Sequence, residues 1–109
     1  MDNLMTLSLE AHSNEQNHHR HYQLTIGRDL LDDWTLIVRY GRVGQSGQEK
    51  FYASEHSKEI QAMINDRLRR RLSAPKRIHC SYRVVSLNSV AGFDTQEWLP
   101  NELMARFFR

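Results

Sequence analysis

Apolar and polar residues alternate in three early segments of the chain, which is the period of strands that bury one face. Met5, Leu7, Leu9 and Ala11 alternate with Thr6, Ser8 and Glu10. Tyr22, Leu24 and Ile26 repeat the pattern after a polar loop over 12–17, and Gly27-Arg28-Asp29 ends that run. Trp34, Leu36, Val38 and Tyr40 then form one face of the strongest strand, opposite Thr35, Ile37 and Arg39. The intervening Leu30-Leu31-Asp32-Asp33 reads either as a turn or as a bulged start to that strand. Gly44 and Gly47 bracket Gln45-Ser46 and supply the positive φ that a tight reversal needs. A returning strand is expected from about Gln48 to Ala53. Consecutive strands joined by such short turns make an antiparallel sheet.

The period then changes. Ile60, Met63, Ile64, Leu68 and Leu72 recur at helical spacing and predict a helix from about Glu55 to Leu72, with Ser54 as its N-cap. The stripe rests mainly on i, i+4 steps and drifts, which puts Arg67 and Arg71 on the flank of the buried face. Their stems can pack there while their heads emerge. Ser73-Ala74-Pro75 stops the helix. Ile78, Cys80, Tyr82 and Val84 alternate with His79, Ser81 and Arg83 in a further strand extending to about Leu87. Pro100 to Phe108 predicts a short helix with Pro100 in its first turn. The adjacent Phe107 and Phe108 must dock on the sheet or cover a partner subunit. The expected fold is α+β: a small antiparallel β-sheet of four to five strands with one amphipathic helix packed across it, over residues 1–87. Residues 88–109 are a C-terminal extension, a short helix docking on the domain or on a partner.

Composition narrows the setting. A length of 109 residues bounds the chain to one domain, long enough to bury a modest core without disulfides or metal. A mean hydropathy of −0.67 excludes membrane spans, so no membrane partner is expected. Met1-Asp2-Asn3-Leu4 lacks a basic region leading into an apolar stretch, so no secretory leader is expected. The lone Cys80 cannot form an internal disulfide. The cytoplasm is the default location. The net charge of +2 hides an uneven distribution. From Arg67 to Phe93 there are seven basic residues and no acidic one, leaving eight basic against thirteen acidic elsewhere. Such a stripe points either to an anionic partner or to arginines that complement a helix dipole.

The run from Trp34 through Tyr40-Gly41-Arg42 to Gly47-Gln48 resembles the motif that names the WGR domain family. The family core reads tryptophan-glycine-arginine followed by valine or isoleucine and glycine; here tyrosine takes the first place. Further likeness lies in His21-Tyr22-Gln23-Leu24, in Asp33-Trp34-Thr35-Leu36 and in the Ser-acidic start to one amphipathic helix. The match covers about residues 5 to 85, and the small bacterial stand-alone members look most similar. The resemblance implies a small antiparallel sheet crossed by one helix. It also implies a non-catalytic role. In poly(ADP-ribose) polymerases the domain contacts DNA at a strand break near the 5′ end, with the core tryptophan on the terminal sugar and the core arginine on DNA or a neighbouring domain. By position those roles fall to Tyr40 and Arg42. No ADP-ribosyl transfer is implied.

Other constellations carry little chemistry. His12, His18, His19 and His21 are not framed by cysteines or carboxylates at ligand spacing, and a solvated loop explains them. The glycines at 41, 44 and 47 match no phosphate-cradling loop, since a strand rather than a helix follows them. His79 and Cys80 are strand neighbours pointing to opposite faces, and no nucleophile elbow frames a serine. No enzyme activity, cofactor or metal is expected. The expected function is nucleic-acid binding, most readily of DNA, through Tyr40, Arg42, Arg67, Arg69, Arg70, Arg71, Lys76 and Arg77. The alternative is a protein-interaction module, self-associating or engaging another protein through Arg42, the sheet edge and the Phe107-Phe108 tail. Tyr40 itself stands between two roles, an exposed contact and a core residue continuing the Trp34, Leu36 and Val38 face.

Overall fold

In the computed structural model, which describes residues 2–78 and 80–108 apart from the side chains of Arg77 and Ile78, the alternating runs become adjacent strands. They are β1 (Asp2–Ser13), β2 (His18–Arg28), β3 (Trp34–Arg42) and β4 (Gln48–Ser54). Each pairs antiparallel with the next, as short connections require. A helix, α1 (Ser57–Leu72), and a short α2 (Ala74–Ile78) lead to β5 (Tyr82–Ser89). Two short helices follow, α3 (Thr95–Trp98) and α4 (Asn101–Ala105). β5 adds antiparallel to the free side of β1, giving the order β4-β3-β2-β1-β5. The architecture is the α+β arrangement expected, with five strands.

Register explains which side chains meet. Met5, Ile26, Leu36 and Tyr52 share one cross-strand row, and Leu7, Leu24, Val38 and Lys50 the next. The third row runs Val84, Leu9, Tyr22, Tyr40 and Gln48, and the fourth Tyr82, Ala11, Arg20 and Arg42. Successive strand residues alternate faces, so all four rows lie on one side of the sheet. α1 covers that side with Ile60, Ile64 and Leu68, each fully buried. The opposite face is held by polar pairs. Gln23 Nε2 donates to Ser8 Oγ at 3.1 Å, and Arg39 Nε meets Glu49 Oε2 at 2.6 Å.

Two boundaries differ from the sequence reading, and two short helices are added to it. The helix begins at Ser57, with His56 as an N-cap that makes no side-chain capping bond. Ser54 instead accepts from the His56 amide at 3.0 Å and donates to Glu59 at 2.8 Å, closing a turn ahead of the helix. The strand expected from Ile78 begins only at Tyr82, because Ala74–Ile78 forms the helical turn α2. Cys80 is buried ahead of that strand, and His79 lies outside the described residues. A third helix, α3, went unpredicted; Asp94 nucleates it by accepting from the amides of Gln96 and Glu97.

The C-terminal segment packs into the same core. Trp98, Leu99, Leu103, Met104 and Phe107 are buried, and Trp98 lies 4.8 Å, ring to ring, from Trp34. The two terminal phenylalanines part company, Phe107 being enclosed and Phe108 64% exposed. The Val84 amide of β5 donates to the Phe107 carbonyl at 3.2 Å, so the tail also occupies part of that strand's outer edge.

The β3–β4 turn depends on glycine at one point above all. Gly47 has φ +68°, and a Cβ built there would fall 2.2 Å from the Tyr40 carbonyl oxygen. Gly44, at φ +87°, faces open space. Gly47→Ala is therefore expected to cost about 1–3 kcal/mol in chemical denaturation, and Gly44→Ala about 1 kcal/mol or less. Equal effects at the two positions would show that the close approach to Tyr40 does not matter.

Candidate nucleic-acid interface

The end of β3 brings Tyr40, Gly41 and Arg42 to the rim of the sheet, where two clefts meet. The first, of about 490 Å³, is lined by Arg20, His21, Tyr40, Arg42, Arg71 and Tyr82 among others. The second lies between the sheet and α1 and is lined by Tyr22, Val38, Tyr40, Lys50, Arg67, Arg70 and Arg71. Tyr40 and Arg71 border both. Tyr40 is half-buried, packed against the core on one side and open to the clefts on the other. Its hydroxyl donates to Gln48 Oε1 at 2.8 Å, and Lys50 Nζ lies 5.9 Å from its ring centre.

Arg42 is tethered. Its Nη1 donates to the Asn17 carbonyl and its Nη2 to Asn17 Oδ1, both at 3.1 Å. Asn17 closes the β1–β2 turn with φ 53°, so the motif arginine locks that hairpin onto the end of β3. The Val43 amide reinforces the tie by donating to the His19 carbonyl at 2.8 Å.

The helix supplies the remaining charge. Arg67 stacks on Tyr52, with its guanidinium carbon 4.8 Å from the ring centre, and donates to the Tyr52 hydroxyl at 2.9 Å. Asp66 lies 3.3 Å from Arg70 and 3.8 Å from Arg67, so one carboxylate serves two guanidiniums. Arg71 has no such partner. Its guanidinium carbon sits 3.9 Å over the Tyr22 ring and 5.9 Å from that of Tyr82, a cation–π seat. Among the described residues it forms no ion pair, and its Nε is buried without a hydrogen-bond partner. The guanidinium is thus held in place by aromatic rings and not by a carboxylate among the described residues.

Burial pushes the Tyr22 phenol above its ordinary value, although Arg71 and Arg67 pull it the other way. The protonated phenol is favoured in the folded state, so its contribution to stability is whole below about pH 10 and fades as pH rises through the raised value. An absorbance titration compared with that of Tyr22→Phe is expected to show the Tyr22 phenol ionising above its ordinary value. A Tyr22 midpoint at or below that value would contradict this placement.

Arg67, Arg70, Arg71, Arg42 and Tyr40 thus gather on one surface. Arg69 and Lys76 are exposed but line neither cleft, and the Arg77 side chain lies outside those described. The sequence reading missed Lys50, Arg20, Tyr22 and Tyr82. Their signal was strand phase: Lys50 shares the row of Val38, and Arg20 that of Arg42. His18, His19 and His21, read from the sequence as a solvated loop, instead open β2 and line the first cleft; His19 shares a 2.9 Å hydrogen bond with His12, which in turn bonds Glu10 Oε1 at 2.8 Å. Among the described residues no group of three or more His, Cys, Asp or Glu is placed to hold a metal. No helix among them is long and apolar enough to cross a membrane.

The WGR domain model matches residues 5–74, which span the first four strands and α1. No curated protein matches the chain.

Proposed function

The chain belongs to the WGR domain family, in general a family of non-catalytic nucleic-acid-binding modules, and we propose that it binds DNA through the two clefts that meet at Tyr40. The observation that carries this reading is the convergence of Lys50, Arg67, Arg70 and Arg71 on the motif from separate elements. Scattered cations would have favoured protein interaction instead. Phosphate oxygens meet Arg71, Lys50 and Arg70, while the open side of the Tyr40 ring packs on a sugar or base. Contacts of this kind are independent of sequence and weaken steeply with salt. Arg42 orders the hairpin that walls the first cleft, and its guanidinium is partly used in doing so.

Titration of labelled duplex, nicked and single-stranded DNA at two salt concentrations tests the reading. Binding is expected to fall about tenfold or more between 50 and 200 mM salt, as the release of several counterions requires. Arg42→Ala is expected to weaken it several-fold and to loosen the β1–β2 hairpin, seen as faster amide exchange near Asn17. Absence of binding to every DNA form at the lower salt would sink the proposal.

A further inference from the structure

The β2–β3 turn displays the two most exposed large apolar side chains described, Leu30 at 94% and Leu31 at 82%. Central turn positions ordinarily carry glycine, proline or polar residues, so two leucines there call for a reason. The turn is built firmly. Asp29 Oδ1 accepts from the amides of Leu31 at 2.9 Å and Asp33 at 3.0 Å, and the Asp32 amide donates to the Asp29 carbonyl. Arg28 reaches both the carbonyl and the carboxylate of Asp32 at 2.7 Å, and its guanidinium stacks 4.3 Å over Trp34. The leucines are therefore presented on a fixed support. Asp29, Asp32 and Asp33 frame them with three carboxylates against the single Arg28.

A complementary surface lies at the other end of the sheet. A cleft of about 370 Å³ is lined by the apolar or aromatic Leu72, Pro75 and Tyr82 and by Ser81, Arg71, Arg83 and Arg106. Among the described residues no carboxylate lines it, and none of these three arginines forms an ion pair. We propose that the Leu30-Leu31 knob of one copy of this chain seats in the Arg71-Arg83-Arg106 cleft of a second copy. The leucines meet Leu72, Pro75 and Tyr82, and the aspartates meet the arginines. A copy cannot fill its own cleft. The knob follows the Arg28–Trp34 end of the β2–β3 ladder, whereas the cleft adjoins Tyr82, on the row of Arg20 and Arg42, about eight strand residues or roughly 25 Å away. The contact joins two different patches, so it builds an open chain, a ring, or a pair in which each knob seats in the other copy's cleft. Because Arg71 borders this cleft as well, association and DNA binding compete, a corollary that rests on the DNA reading. The association itself does not.

Analytical ultracentrifugation without nucleic acid tests the contact. The average mass of the wild type is expected to rise above 12.9 kDa between about 10 and 500 µM, and to return toward it in about 0.5 M salt. Leu30→Ser with Leu31→Ser removes the knob, and Arg83→Glu with Arg106→Glu removes two of the cleft arginines. All four side chains lie at exposed positions, so thermal unfolding should be unchanged. Each double variant alone is expected to stay monomeric, and their mixture to form a one-to-one dimer, since each retains what the other lacks. A monomeric wild type, continued association of either variant, or a mixture that stays monomeric would each overturn the proposal. DNA binding that survives in a monomeric wild type would leave the DNA reading standing without this one.

Discussion

Arg71→Ala is expected to weaken DNA binding by about tenfold to a hundredfold at low salt, more than any other single substitution on this surface. Arg42 spends two donors on Asn17, and Arg67 and Arg70 share Asp66, so binding DNA must displace or screen existing partners there. Arg71 already stands over Tyr22 with no counter-ion among the described residues. Its charge is ordered and unneutralised before a phosphate arrives, which reduces the entropy lost on binding. Arg71→Lys keeps the charge but loses the planar fork and the full stacking contact, so an intermediate loss is expected. Arg71→Met keeps much of the aliphatic stem over Tyr22 and separates packing from charge. The slope of affinity against salt should shallow by about one counterion in Arg71→Ala and Arg71→Met alike. Arg69→Ala, outside both clefts, is the control and should change affinity less than twofold. Equal losses for Arg69 and Arg71 would mean that diffuse charge, not the tyrosine-seated site, governs binding.

The largest stability effect is expected at Trp98. Its side chain is 2% exposed, 4.8 Å from the Trp34 ring and 6.0 Å from that of Phe93, and it belongs to the buried core cluster. Truncating such a residue removes its burial and leaves a cavity, so Trp98→Ala should cost about 3–5 kcal/mol in chemical denaturation. That is a large part of the roughly 5–15 kcal/mol that stabilises a domain of this size. Gln61 helps to orient the same helix by donating to Glu97 at 3.1 Å, so Gln61→Ala should cost about 1 kcal/mol through the lost hydrogen bond. If Trp98→Ala changes stability by less than 1 kcal/mol, the C-terminal segment is not integral to the core.

Much of the fold was legible because local period and burial agree. Met5, Leu7, Leu9 and Ala11 needed only alternation to place them on one face, and all four are buried. The glycine-spaced turn after Arg42 announced a hairpin, since positive φ is a property of the residue itself. Errors fell where two local rules competed. Ile78 and Cys80 satisfied the strand period, yet Ala74 to Ile78 closed a helical turn first. α3 was not legible because four helical residues are too few for the period to declare itself.

The site was legible only in outline. Arg67, Arg70 and Arg71 could be placed on or beside a helix flank from spacing, and Tyr40 and Arg42 at a strand end. Nothing in the chain order says that Arg71 lies over Tyr22 or that Lys50 faces Tyr40. Those neighbours are 49 and 10 residues apart, and strand register and helix position decide them. Nor does alternation show that β5 joins beside β1 and so brings Tyr82 and Arg83 to the far side of Arg71. By itself the sequence determined the first four strands, the long helix, their buried faces and the family, because periodicity and turn chemistry act within a few residues. Only the tertiary structure decided which cations lack counter-ions and which aromatics hold them, because that depends on contacts closed between distant parts of the chain.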